Sequence, residues 1–144
     1  MSDAPELERL VRFFETIELQ SLRAELALVY APDAAFKDPF NEVQGLAPIA
    51  AIFEHMFAQV DNPRFVVTTR VMQGSQAFLT WDFLFTMKRL AKGPQCIKGA
   101  THIVFDAGGK VAMHRDYWDA AEELYEKLPL LGALMRWLKR AANR

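Results

Sequence analysis

Four titratable side chains hold most of the chemical possibility in this 144-residue chain: Asp38, Asp82, His114 and Asp116. His114 and Asp116 stand two positions apart, so on a β-strand they share a face. An imidazole beside a carboxylate is a natural acid/base pair. Asp38 lies in Asp38-Pro39-Phe40, and Asp82 lies inside the aromatic run from Phe78 to Phe85. Carboxylates gathered in a dry site cannot all stay ionised, so at least one would hold its proton to a higher pH than usual. Such a group exchanges protons near neutrality. Each residue also has a plainer use: an aspartate before proline is a common turn former, and His114 with Asp116 can be a purely structural pair.

The elements that must position these residues are legible from periodicity. Leu7, Leu10, Val11, Phe14 and Ile17 recur at helical spacing behind Pro5. Ser21 can cap a second helix carrying Leu22, Leu26 and Val29, which Pro32 is expected to stop. Ala34 to Lys37 reads as a short extended piece. Gly45 and Pro48 open a third helix with Ile49, Ile52, Phe53, Met56 and Phe57 inward, closed by Asp61-Asn62-Pro63. The β-branched and aromatic stretches 64–73, 76–88, 95–106 and 110–117 then read as four strands joined by short turns, an antiparallel meander. Asp119 can cap a last helix, with Glu122 three residues on. The expectation is an α+β domain in which helices cover one face of a curled sheet and close a cone-shaped, largely apolar hollow.

Composition narrows the function class. Hydrophobic residues make up 51% and charged residues 24% of the chain, so disorder is excluded. One cysteine, Cys96, rules out an internal disulfide and a thiolate zinc site. The formal net charge of −1 makes no case for nucleic acid. No signal-peptide pattern and no membrane-length apolar run occur, so a cytoplasmic protein is expected. No phosphate-cradling glycine motif is present and no third ligand stands with His114 and Asp116, so neither a cofactor nor a metal is expected.

Two stretches carry a resemblance. Tyr30-Ala31-Pro32-Asp33-Ala34-Ala35-Phe36-Lys37-Asp38-Pro39-Phe40, with Gly45 and Ile49-Ala50-Ala51, and Phe105 to Val111 through Tyr117-Trp118, resemble the nuclear transport factor 2-like superfamily, in its SnoaL-like and ketosteroid-isomerase branch. The resemblance spans the chain to about Asp119. It implies a cone fold and a small-molecule pocket, and places Asp38 where the isomerases keep a general-base carboxylate. Tyr30 falls on a pocket tyrosine. Phe14, Phe53 and Thr101 fall where those enzymes carry oxyanion donors, so the base is retained and most of the oxyanion hole is not. The 115–119 run also resembles the limonene-epoxide-hydrolase branch, with Asp116 and Asp82 as its two aspartates and Thr80 where its arginine stands.

On this reading Asp38 abstracts a proton beside a carbonyl or orients a water. Asp116 with His114 returns the proton or stabilises the oxyanion, and Asp82 joins them. Tyr30, Phe14, Phe53, Thr80, Thr101, Ile103 and Trp118 line the substrate site. The expected ligand is a small hydrophobic carbonyl compound, steroid- or polyketide-like, with isomerase or cyclase chemistry. The alternatives are water activation by Asp82 and Asp116 and a non-enzymatic binding module. Strand alternation puts Phe78, Thr80, Asp82 and Leu84 on one face and Trp81, Phe83 and Phe85 on the other. The resemblance places Asp82, Thr101 and His114 inward, so that Trp81, Phe83 and Phe85 form an outer face that a homodimer would cover; with the opposite parity these aromatics line the pocket and Asp82 is a surface residue. Residues 1–119 form the domain. Residues 120–144 form a basic amphipathic helix bearing Leu130, Leu131, Leu134, Trp137 and Leu138, packed on the same domain, with a membrane surface as the other possible contact.

Overall fold

A computed structural model describes residues 4–87, 94–119 and 140. The order is α1 (Pro5–Glu15), α2 (Leu22–Val29), β1 (Tyr30–Lys37), β2 (Glu42–Gln44), α3 (Leu46–Gln59), β3 (Val60–Gln73), β4 (Gln76–Met87), β5 (Gln95–Phe105) and β6 (Val111–Tyr117). Pro5 occupies the first turn of α1, where its missing N–H is no loss, and Leu7, Leu10, Val11, Phe13 and Phe14 are buried on one side. Pro32 does not stop α2. The helix ends at Val29, and Pro32 lies within β1. Ser21 precedes α2 without a side-chain capping bond. Gly45 takes φ +103 before α3, a conformation that side chains rarely adopt.

The strands form one sheet in the order β2-β1-β6-β5-β4-β3. β3 to β6 make the expected meander, and β1 joins it parallel to β6. The sheet is therefore mixed. α1 packs on β3, α2 on β1, and α3 on β1, β2 and β3, all against one face. The principal core lies between them, from Leu7, Leu10 and Phe14 through Tyr30, Phe36, Ile49 and Phe53 to Leu79, Ile103 and Val111. The fold is the α+β cone anticipated from the sequence.

One expectation is corrected here. Ala77, Leu79, Trp81, Phe83 and Phe85 are buried. They are the inner face of β4, so Phe78, Thr80, Asp82 and Leu84 face outward. Cross-strand pairing makes this unavoidable: Leu79 pairs with Thr101 and Ala77 with Ile103, and paired residues share a face. Trp81, Phe83 and Phe85 pack with Val60 and Ile97 in a second buried cluster and are not available to a dimer partner. A bulge in β3 between Val67 and Thr69 changes the parity there. Phe65 and Val67 sit opposite inward-facing Phe83 and Trp81, whereas beyond it Val71 sits opposite outward-facing Phe78. Glu15 at the end of α1 accepts a bond from the Val67 N–H beside this bulge at 3.0 Å. Among the described residues, no helix is long and apolar enough to cross a membrane. Leu130, Leu131, Leu134, Trp137 and Leu138 lie outside the described residues.

Candidate active site

The site is built around β6. Alternation turns His114 inward, where it is 2% exposed, and brings Asp116 to the same side. The rings of Phe14, Tyr30 and Phe36 surround the imidazole, with centroids 5.7, 5.9 and 4.6 Å away. Five side chains then join in one hydrogen-bonded line. The Tyr30 hydroxyl lies 2.6 Å from His114 Nδ1. His114 Nε2 lies 2.7 Å from Asp116 Oδ1. The Thr101 hydroxyl donates to that same oxygen at 2.6 Å, and Trp81 Nε1–H donates to Thr101 Oγ1 at 2.8 Å.

The chemistry of the donors fixes the direction of this line. With Asp116 ionised, both neighbours of Oδ1 must donate, so His114 carries its proton on Nε2. In the neutral ring Nδ1 is then the acceptor for the Tyr30 hydroxyl, which is fully buried. A single neutral tautomer thus satisfies every group, and among the described residues no buried side-chain nitrogen or oxygen lacks a partner. Burial, seconded by the Asp116 charge, pushes the Tyr30 phenol well above its ordinary value of 10.0. Both bonds to Asp116 fall on its Oδ1. Among the described residues, none engages Oδ2.

Asp38 follows β1, in the turn that leads to β2. Its Oδ1 accepts from the backbone N–H groups of Phe40 and Asn41 at 2.8 and 2.6 Å. The Asn41 side-chain amide reaches both carboxyl oxygens at 3.0 Å. This is the Asp-Pro turn formed by side-chain acceptance from the backbone. Burial nevertheless raises the Asp38 carboxyl above its ordinary 3.8, opposed by the bonds from Asn41 and Phe40 and helped by the charge of Asp116. The two carboxyls sense each other because both line the same cleft, of about 490 Å³, at the adjacent ends of β1 and β6. Lys37, Pro39, Arg115 and Trp118 complete much of its wall, and Trp118 packs on Phe40 with centroids 5.5 Å apart.

Behind Asp116 is a second space, between Phe14, Phe53, Phe65 and Val67 on one side and Trp81, Thr101, His114 and Asp116 on the other. Its volume is about 20 Å³. That is room for one water and not for an organic ligand. Asp116 lines both spaces. Phe14, Phe53 and Thr101 line this hollow, which is too small for the substrate they were expected to meet, and Ile103, expected at the same site, is buried in the core.

Asp82 and Thr80 are not part of the site. Asp82 is on the outer face, bonded to Lys98 at 3.0 Å, and Thr80 is exposed there against Thr68 at 2.7 Å. The sheet separates Asp82 from Asp116, so the two cannot flank one water. Trp81, expected on a dimer face, is instead a member of the buried line. The sequence signal that could have found it is the wholly apolar alternation Ala77, Leu79, Trp81, Phe83, Phe85, which marks Trp81 as inward; its placement opposite Gly99 and beside Thr101 follows from the pairing of β4 with β5. No group of three His, Cys, Asp or Glu residues able to hold a metal occurs among the described residues.

Residues 10–114 match the SnoaL-like domain family. The chain belongs to that family. The SnoaL-like match ends at His114, two residues before Asp116. No curated protein matches the sequence. Among solved structures, a ketosteroid isomerase-like protein from Catenulispora acidiphila, in complex with trimethylamine, superposes with a TM-score of 0.72 at 14% identity over 86% of this chain and 92% of its own. TerC, co-crystallised with polyporic acid, gives 0.69 at 17% identity over 86% and 100%. An LEH-like epoxide hydrolase from M. tuberculosis gives 0.65 at 15% identity over 91% and 92%. These likenesses establish the SnoaL-like cone and leave activity to the side chains.

Proposed function

We propose that the cleft between Asp38 and Asp116 binds a small hydrophobic carbonyl compound and that the two carboxyls move a proton on it, as an isomerase or cyclase requires. The observation that carries this reading is the Asp116 carboxylate: Oδ1 is saturated by His114 and Thr101, and the side chain faces a cleft it shares with a second carboxyl whose ionisation is suppressed. Asp116 is the base that meets the ligand through Oδ2. His114, committed as an Nε2–H donor, holds Asp116 in place and stays out of the proton transfer. Asp38 keeps its proton to a higher pH and is the group that gives one back to an enolate. Trp118 supplies an apolar wall and an indole N–H. Neighbours of the same fold that carry polyporic acid or are named for epoxide hydrolysis support a small organic ligand, not a particular one.

The experiment is deuterium incorporation. A panel of aromatic 1,3-diketones and β,γ-enones is incubated with the protein in D2O and followed by proton NMR. We expect exchange of the α-hydrogens above the buffer rate, a loss of about 10²–10⁴-fold in Asp116→Asn, and a smaller loss in Asp38→Asn. Exchange that is equal with and without protein, or unchanged in Asp116→Asn, overturns the reading.

A second reading is favoured by one feature. Asp38 is tied to the Phe40 and Asn41 N–H groups as a turn former, which suits a binding module without turnover. Cleft ligands that bind equally well to wild type and Asp116→Asn, with no exchange, would select it.

A further inference from the structure

We propose that Trp81 and Thr101 are positioning residues that lock the rotation of the Asp116 carboxylate and so present Oδ2 alone to a ligand; the inference rests on the reading of Asp116 as the proton acceptor. An indole N–H can only donate. Once Trp81 donates to Thr101 Oγ1, the hydroxyl proton of Thr101 is directed to Asp116 Oδ1. His114 Nε2 meets the same oxygen from β6 itself. Two donors from two directions fix both side-chain torsions of Asp116, which one donor does not.

The arrangement is dry and specific. Thr101 is 1% and Trp81 7% exposed, so neither partner is open to bulk solvent. Space for the indole comes from the facing strand: a Cβ added at Gly99 would lie 2.4 Å from Trp81 Cη2. Neither Trp81 nor Thr101 lines the cleft that holds Asp38 and Asp116. They act through Asp116 and touch no ligand there.

The test uses the full chain with ¹³C-labelled aspartate and compares Thr101→Val, Thr101→Ser and Trp81→Phe. The Asp116 carboxyl carbon resonance is assigned with Asp116→Asn. We expect Thr101→Val to shift and broaden that resonance, to speed deuterium exchange of the Trp81 indole N–H by about tenfold, and to lower the rate of ligand deuteration at unchanged half-saturation. Thr101→Ser restores all three. Trp81→Phe keeps a ring but removes the donor, and moves the same resonance less. A wild-type Asp116 resonance in both Thr101→Val and Trp81→Phe overturns the inference, and Trp81→Phe decides alone if Thr101→Val does not fold. Loss of ligand deuteration in Asp116→Asn but not in Thr101→Val would overturn the positioning role while leaving the base intact. Deuteration indifferent to Asp116→Asn removes the base itself.

Discussion

A carboxylate that anchors a turn and one that trades protons need opposite surroundings, and Asp38 has both. Three donor groups, the Phe40 and Asn41 N–H groups and the Asn41 amide, favour its charged form, while burial and the nearby Asp116 oppose it, and burial wins. The sign for stability follows. The folded chain holds this proton to a higher pH than the unfolded chain does. Asp38 therefore favours folding most below its ordinary 3.8, and that contribution is lost as pH rises through the raised folded value. The difference in urea unfolding free energy between wild type and Asp38→Asn should move against wild type as pH rises above 3.8; a constant difference would show that Asp38 is an ordinary surface acid. Tyr30 behaves in the same sense at the alkaline end. Tyr30→Phe removes the phenol hydroxyl hydrogen-bonded to the buried His114 Nδ1, and should cost about 1–3 kcal/mol at neutral pH. Above about pH 10 the gap should narrow, because only wild type must keep a buried phenol protonated.

At the scale of elements, the pairing of β4 with β5 decides which residues belong to the site. Gly99 is the point where that pairing admits the Trp81 ring. Gly99→Ala should destabilise by about 1–3 kcal/mol through overpacking, and the cost should shrink when Trp81 is also replaced by Phe, as coupled neighbours require. Additive costs in unfolding measurements would place the strain elsewhere. Asp82→Asn, on the outer face, should cost less than about 1 kcal/mol and leave ligand deuteration unchanged, since its partner Lys98 is exposed. The helices and the meander were legible from spacing and β-branched composition, whereas the inward placement of Thr101 and His114 came from the family resemblance. The face of β4 was misassigned, although alternation already sets the wholly apolar Ala77, Leu79, Trp81, Phe83 and Phe85 against a face carrying Thr80 and Asp82, because the family resemblance placed Asp82 inward. The deciding facts were register with Thr101 and Ile103, together with the β3 bulge, and neither leaves a mark in local composition. Pairing of His114 with Asp116 was visible for the opposite reason: two polar residues on an otherwise apolar face need each other.

Considered as a whole, the molecule spends the interior of its cone on packing and keeps its chemistry at the rim. Phe13, Phe14, Phe53 and Phe36 interlock edge to face or tilted at centroid distances of 5.8–6.3 Å, closing the space behind Asp116 to about 20 Å³. Where the resemblance implied pocket hydroxyls at positions 14 and 53, the chain has rings that exclude a ligand. A wide hollow should therefore be recoverable by truncation. Phe53→Ala should cost about 3–5 kcal/mol, the usual penalty for deleting a buried ring, and should create a cavity continuous with the existing one, walled mainly by Phe14, Phe65 and Val67 and able to take up benzene. Titrating benzene against the methyl resonances of Val67 and Ile49 should shift them in Phe53→Ala and not in wild type. Equal shifts in both would mean that the intact cone already opens far enough for an organic guest, and the ligand would then have to be sought behind Asp116 instead of in front of it.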